Sequence, residues 1–310
     1  MELQQLYYYI RWVMPYGTIH LRVKPSIIVL TLYIISFIGF LENINSESKI
    51  KVEYFEKHNI NINVVKIIIL SILSLILLLA VPSIASAFVL GLTYLIISTI
   101  KLIQLNKKNK IAILWGIPII ISVLLIITYI GYKQNNIRNF RIVRIENRIV
   151  SSFNPEVDPL GEGWEGMNQK YIINSANLFG KADNMSEAIQ IFNEGTNYPL
   201  IALLANYGWI ISIMMVLIVV AFNIKLILDA MKIKDTYGKL LILGIACLFI
   251  LRSMFCILMN LNLGIKADFD IPFISYGKMN LVIDVMSLSI IFSIYRRKDI
   301  MLVSNSKPIA

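Results

Sequence analysis

Cysteine, histidine and charge are all scarce in this chain. Of its 310 residues only two are cysteines, Cys247 and Cys256, and both fall inside one apolar block. That placement excludes a disulfide framework and a zinc site. The two histidines, His20 and His58, lie in polar segments assigned below to opposite sides of a membrane, which removes a His-based acid–base pair. No Walker loop occurs, and the scattered glycines form no dinucleotide fingerprint, so nothing supports coupling to a bound nucleotide. Charged residues make up 15% of the chain, against about 25% in a soluble domain. A net charge of +10 would suit a nucleic-acid partner, but in a chain this apolar the basic residues are better read by position, and no nucleic acid is expected.

What is abundant is hydrocarbon. Apolar residues account for 57% of the chain and the mean hydropathy is +0.71. They fall in blocks of roughly 18–25 residues, about the length one helix needs to cross a hydrocarbon core ~30 Å thick. A soluble enzyme, a disordered chain and a secreted disulfide scaffold are thereby excluded. Seven blocks qualify, at 25–41, 63–80, 87–104, 112–132, 199–223, 240–261 and 280–295. Hydrocarbon offers free backbone groups no partner, so each block is expected to be a helix. The expected fold is an all-α polytopic integral membrane protein of about seven transmembrane helices with one large extracellular loop.

Lysine and arginine set the sidedness. Lys49, Lys51 and Lys57 follow the first block, and segment 101–110, at the end of the third block and beyond it, holds Lys101, Lys107, Lys108 and Lys110. Lys225, Lys232, Lys234 and Lys239 lie between the fifth and sixth, and Arg296, Arg297, Lys298 and Lys307 close the chain. The alternate short segments 1–24, 81–86 and 262–279 carry far fewer, so the C-terminus is expected in the cytoplasm and the N-terminus outside. The expected organisation is an external or interfacial leader (1–24), four spans (25–132), the large external loop (133–198), three spans (199–295) and a cytoplasmic tail (296–310). Residues 1–24 lack the pattern of a signal peptide. Tyr7, Tyr8, Tyr9 and Trp12 suit the headgroup level. Two readings of the external N-terminus stand: earlier spans are missing from this chain, or a short polar leader is pushed across.

In the large loop, Arg138, Arg141, Arg144 and Arg148 recur at helical spacing, interleaved with Ile137, Phe140, Val143, Ile145 and Ile149. This reads either as a basic amphipathic helix on anionic headgroups or as a solvated helix tethering the loop. Proline and glycine in FNPEVDPLGEGW (153–164) mark turns. Two charges stand out within the spans. Lys66 sits near a helix start, where it can snorkel. Arg252 sits in the middle of its span and is expected to face a polar cavity or a partner, not lipid.

Three co-linear motifs carry a family resemblance. Segment GWEGMNQKYIINSANLFGK (163–181) is similar, without a gap, to G-Y-Q-x-x-Q-S-x-x-A-I-G-S-G-G-L-F-G-K of the FtsW/RodA/SpoVE (SEDS) family. The preceding stretch RIVRIENRIVSSFNPEVDPLGEGW resembles that family's R-x-x-R-I-x-x-F-x-x-P-x-x-D-P-x-G-x-G-Y. IPFISYGK (271–278), followed by a span and Arg296-Arg297, resembles L-P-F-I-S-Y-G-G with its last helix and basic end. Arg11-Trp12 and Pro25-Ser26 resemble R-R-W-I and Q-P-S-E. The resemblance runs the length of the chain but covers only the last seven of the family's ten spans, which fits the external N-terminus.

The resemblance implies a peptidoglycan glycosyltransferase of cell-wall synthesis in cell shape, division or sporulation, in the bacterial cytoplasmic membrane. Its substrate would be lipid II, an undecaprenyl-pyrophosphate-linked disaccharide-pentapeptide, and its partner a class B penicillin-binding protein. A carboxylate in the external loop would activate the acceptor hydroxyl. That is where this chain departs from the pattern. The family's E-A-H-T-D-F corresponds to EGTNYP (194–199), which puts Asn197 where the catalytic Asp is expected. Ser83 replaces the Asp of Q-P-D-L-G-T, Ile27 the Glu of P-S-E, and Ala205 and Asn206 an acidic pair. A carboxamide cannot take a proton as a carboxylate does, so catalysis is expected to be impaired unless Glu194, three residues away, substitutes. Trp12, Lys181, Arg252, Phe273, Ser275, Tyr276 and Gly277 are the positions assigned to substrate contact, with a turn leading into a helix as the plainer role for the last four. No cofactor is implied; a divalent cation would assist a departing pyrophosphate, but so few acids offer no tight metal site. The remaining readings are a non-catalytic partner of lipid II or of a penicillin-binding protein, and a truncated, decayed copy.

Overall fold

The computed structural model describes residues 10–12, 21–23, 25–42, 84–104, 147, 149–159, 161, 163–180, 197–267 and 269–298. The expected spans 63–80 and 112–132, Lys66, and Arg138, Arg141, Arg144 and Arg148 of the basic helix lie outside these residues, as do Lys181 and Glu194.

The leader holds a short ribbon that was not expected. Strands β1 (Ile10–Trp12) and β2 (Leu21–Val23) pair antiparallel, with Ile10 opposite Val23 and Trp12 opposite Leu21. Both read apolar–basic–apolar, the period of a strand. Helix α1 (Pro25–Glu42) follows, with Pro25 at its first position, where a missing N–H removes no helical bond. Helix α2 spans Ile84–Gln104. In α1 the buried Ile34, Phe37, Ile38 and Leu41 repeat at three and four residues, as do Val89, Leu90, Thr93, Tyr94 and Ile97 in α2. These stripes meet, and Phe37 stacks on Tyr94 with ring centroids 4.2 Å apart.

Within the stretch expected as the external loop, a 3₁₀ turn (Pro155–Val157) leads to α3 (Trp164–Ser175). The stretch expected as one span from 199 to 223 is instead two helices, α4 (Pro199–Tyr207) and α5 (Trp209–Met231). Gly208 separates them at φ 85°, a left-handed conformation that a side chain resists. Nine residues make a helix of only ~14 Å, so α4 cannot cross a bilayer. It turns its Ile201, Leu204 and Ala205 onto Ile172 of α3. The span proper runs eight residues further than its expected end, to Met231.

Helix α6 (Thr236–Asn260) begins at Asp235, whose carboxylate accepts the Gly238 N–H at 2.7 Å, a side-chain N-cap. Helix α7 (Lys278–Arg297) ends in the basic pair. Helices α5 and α6 are both long and apolar enough to cross a membrane, but 67% of the apolar window of α6 is buried against 28% of that of α5. Helix α6 is therefore the hub, packed on α1, α2, α4, α5 and α7, while α5 presents most of its surface outward. Several hydroxyl groups within these helices return to their own backbone. Thr93, Ser212, Ser253 and Ser287 each donate to the carbonyl four residues back, as expected where no water can serve them.

Gly244 is the point of closest approach in the hub. A Cβ there would lie 2.6 Å from Ile38 Cδ1 and 3.1 Å from Ile97 Cδ1, so α1 and α2 converge on one bare patch of α6. Gly244→Ala displaces only flexible isoleucine ends. Gly244→Leu must separate the helices, at about 1–3 kcal/mol. Thermal unfolding in detergent should show a clearly lower Tm for the leucine variant than for the alanine variant.

Candidate functional site

Arg252 lies eight residues before the end of α6 and is only 4% exposed. A guanidinium so placed is strongly destabilising unless carboxylates meet it. Two do. Its Nη1 donates to Asp284 Oδ1 at 2.7 Å, its Nε to Asp270 Oδ1 at 3.1 Å, and its Nη2 to Asp270 Oδ2. Asp270 and Asp284 are 4% and 2% exposed. Asn280 Nδ2 donates to Asp270 Oδ2 at 3.2 Å, and the Phe273 N–H to Asp284 Oδ2 at 3.3 Å. The triad thus binds together α6, the non-helical segment 262–277 and α7.

That segment runs deep. The Phe273 ring meets Phe222 and Phe249 edge-on, with centroids at 5.6 and 5.7 Å. Phe249 lies ~16 Å below the Asn260 end of α6 at 1.5 Å per residue. Irregular backbone at such depth is tolerated where protein buries it, and Phe269, Asp270, Ile271 and Pro272 are buried. Phe273 sits at φ 66°, a conformation that costs a bulky residue on the order of 1–3 kcal/mol. Its N–H bond to Asp284 and its two ring contacts hold it there. Ser275 fixes the same turn, its Oγ accepting the Ile271 N–H at 2.8 Å. Gly277 caps α7 and Tyr276 is exposed.

A cavity of about 260 Å³ opens between α5, α6 and this turn, lined by Val219, Phe222, Asn223, Phe249, Phe273 and Leu288 among others. Its walls are almost wholly apolar, which suits hydrocarbon and not sugar. Of the four turn residues assigned to substrate contact, Phe273 lines the cavity, while Ser275 and Gly277 shape the turn. Trp12 lies in β1, whose partner strand β2 packs against α7.

A second constellation fixes residue 197. Asn260, the last residue of α6, accepts the N–H groups of Leu200 and Ile201 on its Oδ1, at 3.1 and 3.2 Å. These are among the N–H groups that the first turn of any helix leaves free, so the amide caps α4 from another helix. The Nδ2 of the same side chain donates to the Asn197 carbonyl at 3.0 Å, and Cys256 Sγ approaches that carbonyl at 3.5 Å. Asn197 is thereby tied by its backbone to the end of α6, two turns beyond Arg252. It stands apart from the triad's carboxylates. Among the described residues, no group of three or more His, Cys, Asp or Glu could hold a metal ion.

Arg252 therefore faces the polar partners expected of it, but the partners themselves escaped the sequence reading. Asp284 lies inside the block 280–295 and belonged among the intramembrane charges. A mid-span arginine demands a counter-charge, and the two acids flanking PFISYG were the signal. Asn260 carried no such signal, because its role depends on which helix end meets its own.

The geometry describes a scaffold of apolar helices, two of them of membrane length, with the chain at Asn197–Ile201 docked on the end of its central helix. Residues 20–300 match the FTSW_RODA_SPOVE family, described as "Cell cycle protein", and the chain belongs to that family. The chain is 28% identical over 153 residues to the "Probable peptidoglycan glycosyltransferase FtsW" of Trichlorobacter lovleyi. It is 26% identical over 157 residues to the "Stage V sporulation protein E" of Bacillus subtilis. Those matches take in 47% and 48% of this chain and 39% and 41% of the relatives, so the chain aligns with about two fifths of their length. In three dimensions it resembles a chain of a structure described as "Structural coordination of polymerization and crosslinking by a peptidoglycan synthase complex". That likeness has a TM-score of 0.65 at 14% identity, over 96% of this chain and 78% of the other, and establishes the fold alone.

Removing Arg252 would leave two carboxylates buried without a cation, so Arg252→Ala should destabilise the protein by about 3–5 kcal/mol. One guanidinium facing two carboxylates leaves negative charge in excess. Asp284→Asn removes it but leaves one oxygen for two donors, the guanidinium and the Phe273 N–H, and should fold with a Tm between those of the parent and of Arg252→Ala. Asn260→Ala strips the cap from α4, a loss of about 0.5–2 kcal/mol. Denaturation of the three purified variants side by side, followed by circular dichroism, gives the order.

Proposed function

We propose that this chain handles lipid II at the outer face of the bacterial cytoplasmic membrane as a peptidoglycan glycosyltransferase-like protein whose own catalysis is impaired. The observation that carries the reading is Asn197. By the motif resemblance it stands where the carboxylate is expected, and its backbone is held in place by Asn260. The scaffold that would present a base is kept, and the base is absent from that position. In this reading 25–132 holds four spans, 133–198 is the external loop and 199–295 supplies the remaining spans. The C-terminus is cytoplasmic in the same reading. In this reading Glu194 serves as the substitute base and Lys181 as a pyrophosphate contact. Trp12 and the turn residues 273–277 contact the substrate or shape its groove, and Arg252 supports that turn through Asp270 and Asp284.

The same observation favours a second reading, a non-catalytic member that binds lipid II or a class B penicillin-binding protein and regulates its partner. The resemblance to a chain of a synthase complex is consistent with such a partner. One pair of proteins separates the two. Asn197→Asp restores a positioned base, a feature worth typically ~10²–10⁴ in rate. With labelled lipid II, the parent should give little or no glycan strand and Asn197→Asp a large gain. Unchanged inactivity of Asn197→Asp, with lipid II binding intact, supports the regulatory reading. Full activity of the parent that survives Glu194→Gln would overturn the idea of an impaired site.

A further inference from the structure

The turn at 177–180 is unusual for a surface loop: it is rigidly tied, uncharged and presents its largest apolar side chains outward. The Trp209 N–H donates to the Asn177 carbonyl at 3.0 Å and the Ile210 N–H to the Leu178 carbonyl at 3.2 Å. In return the Gly180 N–H donates to the Tyr207 carbonyl at 3.1 Å. Gly208 makes this approach possible, since a Cβ there would lie 2.7 Å from the Asn177 oxygen. The turn is therefore fixed at the first residue of α5. That helix has 23 residues, ~35 Å at 1.5 Å each, slightly more than a ~30 Å hydrocarbon core. Its first turn consequently lies at the boundary between acyl chains and headgroups.

At that level Leu178 and Phe179 are 69% and 68% exposed, and Tyr207 and Ile211 are exposed beside them along the chain. The row continues into the outward face of α5 through Met214, Leu217 and Ile218. No charged residue occurs between Lys170 and Lys181, or between Glu194 and Lys225. An aqueous surface or a polar protein contact would not require so long an uncharged stretch, whereas a lipid surface does. Continuity with the outward face of a membrane-length helix argues for the same covering medium.

We infer that Leu178 and Phe179 form a wedge that inserts into the outer leaflet where α5 emerges. The wedge fastens the external loop to the bilayer surface immediately before residues 181–197. A donor and an acceptor that are both lipid-linked must meet at that surface, so the wedge would fix the height of the junction of α4 and α5 beside which Asn197 is held. This rests on the proposed topology for the choice of leaflet.

The test uses the full chain in phosphatidylethanolamine–phosphatidylglycerol vesicles, with Cys247→Ala and Cys256→Ser as background. Single nitroxide labels are attached at Leu178→Cys, Phe179→Cys, Met214→Cys as the lipid reference and Glu156→Cys as the aqueous reference. Collision with oxygen and with a water-soluble nickel chelate is then measured. Labels at 178 and 179 are expected to resemble 214, rich in oxygen collisions and several-fold poorer in chelate collisions than 156. Chelate access at 178 and 179 equal to that at 156 overturns the wedge and leaves the topology standing. Poor access to both reagents there means that protein covers the turn, and it overturns the wedge equally. An aqueous signature at 214 overturns the wedge and the proposed span together.

Discussion

The constraint on which this structure turns is the charge at Arg252. It sits on the most buried helix, where no water can reach it, and its guanidinium is met by two carboxylates that come from elsewhere in the chain. Asp270 can reach it only if the segment after α6 folds back into the helical layer. Asp284 can reach it only if α7 starts at that depth. Much of the geometry near the C-terminus follows from this one requirement: the descending segment, the left-handed Phe273 and the turn that Ser275 closes. Buried ion pairs of this kind are weak sources of net stability but strong specifiers of arrangement, because breaking one leaves an uncompensated charge.

The outer half of the molecule obeys a different rule. There the organising group is neutral: one amide, Asn260, caps α4 and grips the Asn197 carbonyl. The position that the family resemblance marks for chemistry is thereby fixed by a helix end. Gly208 then turns the chain from α4, which lies across the outer end of the scaffold, into α5, which runs through it. Backbone bonds join the turn at Asn177, Leu178 and Gly180 to Tyr207, Trp209 and Ile210 at the junction of α4 and α5. Loss of a carboxylate at 197 would leave this arrangement undisturbed, since what Asn260 holds is backbone.

Much of this was legible in the residues. Apolar blocks gave α1, α2, α6 and α7 with ends shifted by a few residues, because a span's length follows from the thickness of hydrocarbon it must cross. The block from 199 misled, since hydropathy does not register a break that keeps the sequence apolar; only the left-handed backbone at Gly208 separates α4 from α5. PFISYG was recognisable as a motif, yet its reach into the layer was not, because depth is set by Arg252 and by the rings of Phe222 and Phe249. The partners Asp270 and Asp284 were visible as letters beside that motif. Their convergence on one guanidinium, 18 and 32 residues away in sequence, was not.

Composition and pattern by themselves determined that this chain is helical and built for a membrane, and the motifs identified its family, because burial of apolar surface and local spacing are written residue by residue. Tertiary structure alone decided which helix is central, where Arg252 finds its counter-charges and what holds residue 197. Those outcomes depend on groups distant in sequence meeting at one point. No local pattern encodes such a meeting; it is selected by the free energy of leaving a buried charge or a helix end without a partner.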